Sequence, residues 1–326
     1  MAAQPIDRHD ESEPPTEPQS FRPVANDESG EIRISGVLNA YAAAAKAAAP
    51  VELVERISRA LRGHGRVCDI TVADGDSLEA AFTAIAKDCD CLIVAGGDGS
   101  ILTAAKAAIT AEKPLMVIPM GTMNVFAKSL GIPDGDAAAT ALVNGDVKKL
   151  DIGIVNGQMF LNCVAIGPFA DLTRAREQLR GSSELSQWAS ILAESWKTVF
   201  EPQPYRYHIK RPGTRWRNAL ALIVSNNPFS GDPFTFFHRD SLATGRLGCY
   251  VVRHRSFART LLHLALTYMG FESRDPALSV GESERLEVEL DQSTIEGLVD
   301  GEVMTLKSPL RFEIRRQALQ VVVPRQ

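Results

Sequence analysis

A run of apolar residues at 91–95 ends in the sequence Gly-Gly-Asp-Gly-Ser at residues 96–100. Glycine has no Cβ, so the backbone here can turn sharply and approach a ligand closely. Residues 101–109 follow with apolar side chains at helical spacing. A buried strand, a glycine turn and a helix N-terminus together form a binding site for an anion such as phosphate. Because the carboxylate of Asp98 repels phosphate, the pattern predicts a nucleotide that is bridged by a metal ion.

A second segment, residues 115–133, repeats this order of strand, tight turn and helix, with the turn at Gly121. Thr122 and Asn124 stand at the expected start of the helix, where short polar side chains either cap the helix or contact a ligand. From the residues alone, both interpretations remain open. Two further short motifs follow in the chain, Leu-Asp-Ile-Gly at residues 150–153 and Asp-Gly-Glu at residues 300–302.

In this order, the four motifs resemble those of the diacylglycerol kinase catalytic-domain family, and in particular its soluble bacterial lipid kinases related to sphingosine and ceramide kinases. Members of that family carry a Gly-Gly-Asp-Gly-Thr turn, a Pro-x-Gly-Thr-x-Asn segment, a Leu-Asp-x-Gly strand and an Asp-Gly-Glu turn. The resemblance covers about residues 33 to 325. It is more specific than any one motif, because Asp-Gly alone is common in turns.

The resemblance implies an ATP-dependent lipid kinase of phospholipid biosynthesis, with Mg²⁺ as cofactor and the primary hydroxyl of diacylglycerol as the expected acceptor. It implies that Glu302 is the catalytic base, that Asp300 supports the same turn, and that Asp98 takes part in catalysis. Asp98 and Asp151 are the implied ligands of the metal ion. The implied nucleotide-binding residues are Asn39, Thr71, Gly96, Gly97, Asp98, Gly99, Ser100, Gly121, Thr122 and Asn124.

Three alternatives stay open beside this reading. A ceramide or sphingoid-base kinase would use the same motifs, since those lipids also offer a primary hydroxyl beside long apolar chains. An NAD kinase also carries a Gly-Gly-Asp-Gly turn, but its further signatures are not found here. The third is a catalytically weak lipid-binding protein, because residues 39–43 read Asn-Ala-Tyr-Ala-Ala where the family has Asn-Pro-x-Ser/Ala-Gly.

Composition indicates the class of partner and the cellular compartment to expect. The chain has 326 residues, a formal net charge of −5 and a pI near 5.8, which gives no basic surface for nucleic acid. Its five cysteines are scattered and predict reduced thiols rather than disulfides or a zinc site. No signal peptide is recognised. We therefore expect a cytoplasmic protein that contacts its lipid peripherally, at the inner face of the membrane.

The order of predicted elements favours two lobes. Residues 1–30 are rich in Pro, Glu, Asp and Ser and are predicted to be a disordered tail. Alternating strands and helices over residues 31–150 predict a doubly wound α/β nucleotide-binding lobe. Residues 151–326 predict an antiparallel β-sandwich lobe that binds the lipid, with the active site in the cleft between the lobes. A β-rich lobe can form a homodimer through an edge strand, and the sequence identifies no such edge.

Three longer helices are also predicted from apolar spacing, at residues 50–63, 171–200 and 256–271. Apolar faces of the last two would either pack in the core or contact a membrane. In the hairpin predicted at residues 151–162, Asn156-Gly157 is the two-residue turn.

Overall fold

The computed structural model describes residues 19–20, 32–41, 59, 66–170, 173, 205–210, 217–230, 239–252 and 278–325. Apart from single positions, the helices predicted at 50–63, 171–200 and 256–271 lie outside the described residues, as do their apolar faces. Most of the predicted tail also lies outside them. Within it, Gln19–Ser20 forms a short strand, β1, that pairs with a later strand at Asp146 and Val147.

Parallel strands form the first lobe, and two of them, β4 and β5, are almost entirely apolar, as is usual where both faces of a sheet are covered. The strands are β2 (Ile32–Asn39), β3 (Arg66–Ala73), β4 (Cys91–Gly96) and β5 (Leu115–Pro119). They are hydrogen-bonded in the order β3-β2-β4-β5. The glycine turn that follows β4 therefore emerges from the interior of the sheet rather than from its edge.

The helices of this lobe are α1 (Leu78–Ile85), α2 (Asp98–Ala111), α3 (Val125–Ser129) and α4 (Gly135–Asn144). Asp134 caps α4, and its carboxylate accepts the N–H groups of Asp136 and Ala137. α2 begins inside the glycine turn with Gly97 as its N-cap, and no side chain caps it. Uncapped N–H groups at the start of a helix are available to an anion.

The later strands pair in antiparallel fashion, apart from one contact described below. They are β6 (Asp146–Val155), β7 (Gln158–Phe160), β8 (Cys163–Ile166), β9 (Tyr205–Ile209), β10 (Arg217–Ala219), β11 (Ala221–Asn226), β12 (Leu247–Val252), β13 (Leu278–Ser283), β14 (Arg285–Leu290), β15 (Thr294–Val299), β16 (Glu302–Lys307) and β17 (Leu310–Val323). β6 and β7 form the predicted hairpin, in which Asn156 and Gly157 both have positive φ. A six-stranded sheet has the order β13-β12-β11-β8-β15-β16.

The long strand β17 joins the two lobes. It pairs with β6 and β14 in the second lobe, and Val321 pairs in parallel with Leu115 of β5. One sheet therefore runs through both lobes in the order β10-β9-β14-β17-β5-β4-β2-β3. The predicted boundary between residues 150 and 151 falls inside β6, and its placement stays a prediction.

Each lobe nevertheless has its own hydrophobic core. Phe82, Ile93 and Phe126 are buried in the first core, and Phe160 and Phe312 are buried in the second. The predicted fold class, an α/β lobe followed by an antiparallel β lobe, is confirmed. Among the described residues, no helix is both long enough and apolar enough to cross a lipid bilayer.

Candidate active site

The two glycine turns of the first lobe touch through their backbones. A Cβ built on Gly121 would lie 2.7 Å from the Cα atom of Gly97, closer than real Cβ contacts allow. The N–H of Met120 also donates to the carbonyl of Gly96 at 2.9 Å. The turns lie at the carboxyl ends of the neighbouring parallel strands β4 and β5, the edge at which open α/β sheets bind ligands.

Asp98 connects these turns by capping a helix that begins far along the chain. Its carboxylate oxygens accept the N–H groups of Val125 at 3.3 Å and Phe126 at 3.2 Å, the first two residues of α3. A negative charge at this end of a helix is favourable. Both hydrogen bonds are long and the residue is partly exposed, so the carboxylate keeps capacity for a further ligand.

Asn39 fixes the start of α2 from the end of β2. Its amide Nδ2 donates to the hydroxyl of Ser100 at 2.7 Å, and its Oδ1 accepts the N–H of Tyr41 at 2.8 Å. A Cβ built on Gly96 would meet the Ser100 side chain at 2.6 Å. The substituted loop after β2 therefore still holds Asn39 against the glycine turn. Residues 42–43 of that loop lie outside the described residues.

Asn124 closes its own turn and does not cap α3 through its side chain. Its Oδ1 accepts the N–H of Gly121 and its Nδ2 donates to the carbonyl of the same residue, both at 2.8 Å. Thr122 lies exposed within this turn. Thr71 is exposed on the edge strand β3, where it pairs with Val37. β2 therefore separates Thr71 from the strand that carries the glycine turn.

Glu302 reaches the glycine turn from the second lobe. It follows a tight turn between β15 and β16 in which Asp300 and Gly301 both have positive φ, 50° and 93°. Its side chain is exposed. A Cβ built on Gly99 would lie 3.0 Å from the Oε1 atom of Glu302. The carboxylate from the second lobe thus faces the first turn of α2.

Asp300 holds this turn in place. Its carboxylate accepts the N–H groups of Leu161 at 2.6 Å, Asn162 at 2.8 Å and Cys163 at 3.0 Å. Burial raises the pKa of Asp300 to about 6, although these three donors act in the opposite direction. Both oxygens of Asp300 are thus occupied by backbone donors that fix the turn before Glu302, and its part in catalysis stays a prediction.

Asp151 has different partners from those of Asp98. It is buried on β6, and its carboxylate accepts the N–H of Gly245 at 2.7 Å and that of Gln317 at 2.9 Å. Burial raises its pKa, and the guanidinium of Arg316 acts to lower it. No hydrogen bond among the described residues joins Asp151 to the glycine turns. Its role as a metal ligand stays a prediction.

Sequence reasoning missed Arg239, which lies between the lobes. The side chain is 2% exposed and donates to the carbonyls of Leu161 and Asn226 and to the side chains of Ser129 and Asn162. Burial lowers the pKa of Arg239 to about 10. Arginine is mostly a surface residue, and no motif or apolar periodicity around position 239 signals a buried one.

Comparison with known proteins identifies the chain. Residues 34–155 match the diacylglycerol kinase catalytic domain, and residues 162–323 match the YegS C-terminal NAD kinase beta sandwich-like domain. The chain is 30% identical over 266 residues to a Pseudomonas aeruginosa protein named "Probable lipid kinase YegS-like", which covers 78% of this chain and 83% of the relative. The chain belongs to the family of YegS-like lipid kinases with a diacylglycerol kinase catalytic domain.

Further relatives agree with this assignment. This lipid kinase is 29% identical over 250 residues to a protein of Bacillus subtilis named "Diacylglycerol kinase", covering 72% of this chain and 81% of the relative. The crystal structure of a diacylglycerol kinase from Bacillus anthracis has the same fold, with a TM-score of 0.66 at 19% identity over 89% of this chain and 96% of the other. The predicted family and enzyme class are confirmed.

The residues of this lipid kinase fit the phosphates of ATP, whose use the family implies. The uncapped start of α2 presents backbone N–H groups, and the missing Cβ atoms of its glycines let Ser100 and the second glycine turn pack close beside it. The described residues contain no group of three His, Cys, Asp or Glu side chains that could hold a metal ion. Mg²⁺ is commonly bound by one or two carboxylates, phosphates and water, and Asp98 fits that role. Asp151 differs in being buried and in holding its two backbone donors at shorter distances, and its role as a ligand stays a prediction.

Proposed function

We propose that this lipid kinase transfers the γ-phosphoryl group of ATP to the primary hydroxyl of diacylglycerol. One observation carries the proposal: the carboxylate of Glu302, from the second lobe, lies against Gly99 in the phosphate-binding turn of the first lobe. A base for the acceptor hydroxyl and a site for the donor phosphates therefore face each other. Phosphoryl transfer depends mainly on such alignment and on charge stabilisation.

The first lobe provides the donor side. Backbone N–H groups at the start of α2 would hold the phosphates, with the positive end of the helix dipole directed at them. Thr122 and the Ser100 hydroxyl, which Asn39 fixes, lie in and beside the same turns. Mg²⁺ would neutralise phosphate charge, and Asp98 would hold it directly or through water. Because Asp98 also caps α3, the charge that meets the metal is fixed to the second glycine turn.

The second lobe provides the acceptor side. Glu302 is exposed, so its carboxylate can meet a lipid hydroxyl that enters the space before the glycine turn. It would accept the proton of that hydroxyl as the phosphoryl group is transferred. Asp300 contributes by holding the turn from behind, through its three backbone donors.

Diacylglycerol is proposed as the acceptor because a relative from Bacillus subtilis carries that name at 29% identity. Ceramide and sphingoid bases offer a similar hydroxyl, and NAD is the acceptor in the kinases whose sandwich domain gives its name to the second matched domain. Work on a long-chain lipid would take place peripherally at the inner face of the membrane, in the cytoplasm. The helices that would carry such a contact lie outside the described residues.

The test is transfer of labelled phosphate from ATP in mixed micelles to diacylglycerol, monoacylglycerol, ceramide, sphingosine or NAD, each supplied separately. Glu302→Gln removes the proposed base with little change of shape, and we expect kcat to fall about 100-fold or more. Glu282→Gln, an exposed strand glutamate of the second lobe, is the matched control and should behave like the native chain.

The outcomes separate the candidates. Phosphorylation of diacylglycerol above the other acceptors, lost in Glu302→Gln and kept in Glu282→Gln, would support the proposal. Transfer to ceramide, sphingosine or NAD alone would show that this compound, and not diacylglycerol, is the acceptor. Lipid binding without transfer, in a folded protein, would favour the weak lipid-binding alternative and direct attention to residues 39–43.

A further inference from the structure

Arg239 is a buried cation with four hydrogen bonds to three parts of the molecule. Nη1 donates to the carbonyls of Leu161 at 2.8 Å and Asn226 at 3.0 Å. Nη2 donates to Asn162 Oδ1 at 2.8 Å and to Ser129 Oγ at 3.2 Å. Among the described residues, its Nε has no hydrogen-bond partner. Burying a guanidinium is costly, so its contacts merit a functional explanation.

One end of this set of contacts leads to Asp98. Ser129 is the last residue of α3, and its hydroxyl also donates to the carbonyl of Val125 at 3.0 Å. The N–H of Val125 in turn donates to Asp98 at 3.3 Å. Arg239 therefore holds the end of a five-residue helix whose beginning is held by the carboxylate of the phosphate-binding turn.

The other end leads to Glu302. The segment Leu161-Asn162 lies between two opposite charges: it presents the Leu161 carbonyl and the Asn162 side chain to Arg239, and its backbone N–H groups to Asp300. Asp300 shapes the turn from which Glu302 projects. Hydrogen bonds and short covalent segments thus connect Asp98 through Arg239 to Asp300, two residues before Glu302.

We propose that Arg239 is a positioning residue that sets the separation between Asp98 and Glu302, an inference that rests on the proposed function of those two carboxylates. Arg239 acts through Ser129 on one side and through Leu161-Asn162 on the other. The arrangement matters because transfer between donor and acceptor is sensitive to placement: a shift of about 1 Å can cost about 100-fold in rate.

The geometry explains why an arginine stands here. The guanidinium is a rigid fork with donors on two terminal nitrogens, so it can hold four acceptors at fixed relative positions. Lysine carries the same charge on a single nitrogen. Arg239→Lys would keep the charge and lose the simultaneous hold on α3 and on residues 161–162.

Ser129→Ala is the sharpest variant, because it removes the link to α3 and leaves the other three acceptors of Arg239 in place. Its matched control is Thr140→Ala in α4, which has the same bond from its hydroxyl to the carbonyl four residues earlier. We expect Ser129→Ala to lower kcat roughly five- to tenfold with KM for ATP within about twofold of the native value, since positioning and not binding is lost. Thr140→Ala should match the native chain.

Arg239→Lys is expected to lower kcat more than tenfold, and the double variant should be no slower than Arg239→Lys alone, because both changes break one series of contacts. Additive losses in the double variant would overturn the proposal. So would native kcat in Ser129→Ala. If Arg239→Lys does not fold, Ser129→Ala decides the matter by itself.

A second measurement does not depend on activity. Amide hydrogen exchange should be faster in Ser129→Ala both at residues 125–126, which donate to Asp98, and at residues 161–163, which donate to Asp300. Faster exchange confined to residues 125–126 would show a local effect on α3 and overturn the proposal. If the native chain phosphorylates no lipid, the proposed function fails, while exchange at residues 161–163 still decides whether Arg239 couples the lobes.

Discussion

Asp98 and Asp151 are the same residue type, and each accepts two backbone N–H groups, yet their surroundings differ. Asp98 is partly exposed and its two hydrogen bonds are long, 3.2 and 3.3 Å. Asp151 is buried and its bonds are short, 2.7 and 2.9 Å. The comparison shows that accepting hydrogen bonds from backbone N–H groups does not by itself assign a role to a carboxylate. A partly exposed carboxylate with long hydrogen bonds can still take a ligand, whereas a buried carboxylate with short hydrogen bonds supports the chain around it.

Asp98→Asn should give the largest effect on activity. Asparagine keeps one acceptor for the start of α3 but loses the negative charge that would meet the metal, so we expect kcat to fall about 100-fold or more. Asp134→Asn is the matched control, because Asp134 also accepts two N–H groups at a helix start, away from the glycine turns. If both variants lost activity equally, the loss could not be assigned to a metal-binding role of Asp98 that Asp134, as a helix cap alone, does not have.

Gly99→Ala should have an intermediate effect. The added Cβ would lie 3.0 Å from Glu302 Oε1, so the carboxylate must move by a few tenths of an ångström, and we expect kcat to fall roughly tenfold. Gly135→Ala, also in the first turn of a helix, has nothing within 4 Å of its new Cβ. That control should keep full activity and gain a few tenths to about 1 kcal/mol of unfolding free energy. Native kcat in Gly99→Ala would contradict the placement of Glu302.

Asp151→Asn should change activity least, by no more than about threefold, and lower the free energy of unfolding by about 1–3 kcal/mol because a buried N–H loses its acceptor. Chemical denaturation and steady-state kinetics on the same preparation would measure both. A loss of kcat comparable to that in Asp98→Asn would instead restore the predicted metal role of Asp151.

The pH dependence of stability gives a finer test of the same residue. Burial raises the pKa of Asp151 above its ordinary value of 3.8, so the folded state binds this proton more tightly than the unfolded state does. Its contribution to stability therefore falls as pH rises from 3.8 through the raised pKa. Asp151→Asn should lack this decline. If the free energy of unfolding of the native chain and of Asp151→Asn changed with pH in parallel, the raised pKa of Asp151 would be contradicted.

Local patterns predicted much of the fold. The apolar run before Gly96 predicted β4, and Asn156-Gly157 predicted the turn between β6 and β7, because both signals lie within a few neighbouring residues. The predicted antiparallel β lobe over residues 151–326 did not specify the partners of its last strand, β17. Its pairing with both β6 and β5 depends on packing between distant segments, which periodicity does not report.

In the candidate site, too, local motifs predicted some residues, whereas contacts between distant segments were not predicted. The glycine turns and Glu302 were found from motifs and their family resemblance. The cap that Asp98 gives to α3 spans 27 residues, and Arg239 reaches Ser129 across 110. Neither contact is visible in the local sequence, because the donors that Asp98 meets and the acceptors that Arg239 meets come together only in the folded chain.

The shared strand β17 has a consequence for the order of folding during synthesis. The parallel sheet of the first lobe keeps an unpaired edge at β5 until residues 310–323 leave the ribosome. At about 5–20 residues per second, that edge waits on the order of 10–40 seconds after β5 itself has been made. An exposed strand edge invites pairing with other chains. We therefore expect the protein to need chaperones most during synthesis, while the edge of β5 in the first lobe is still unpaired.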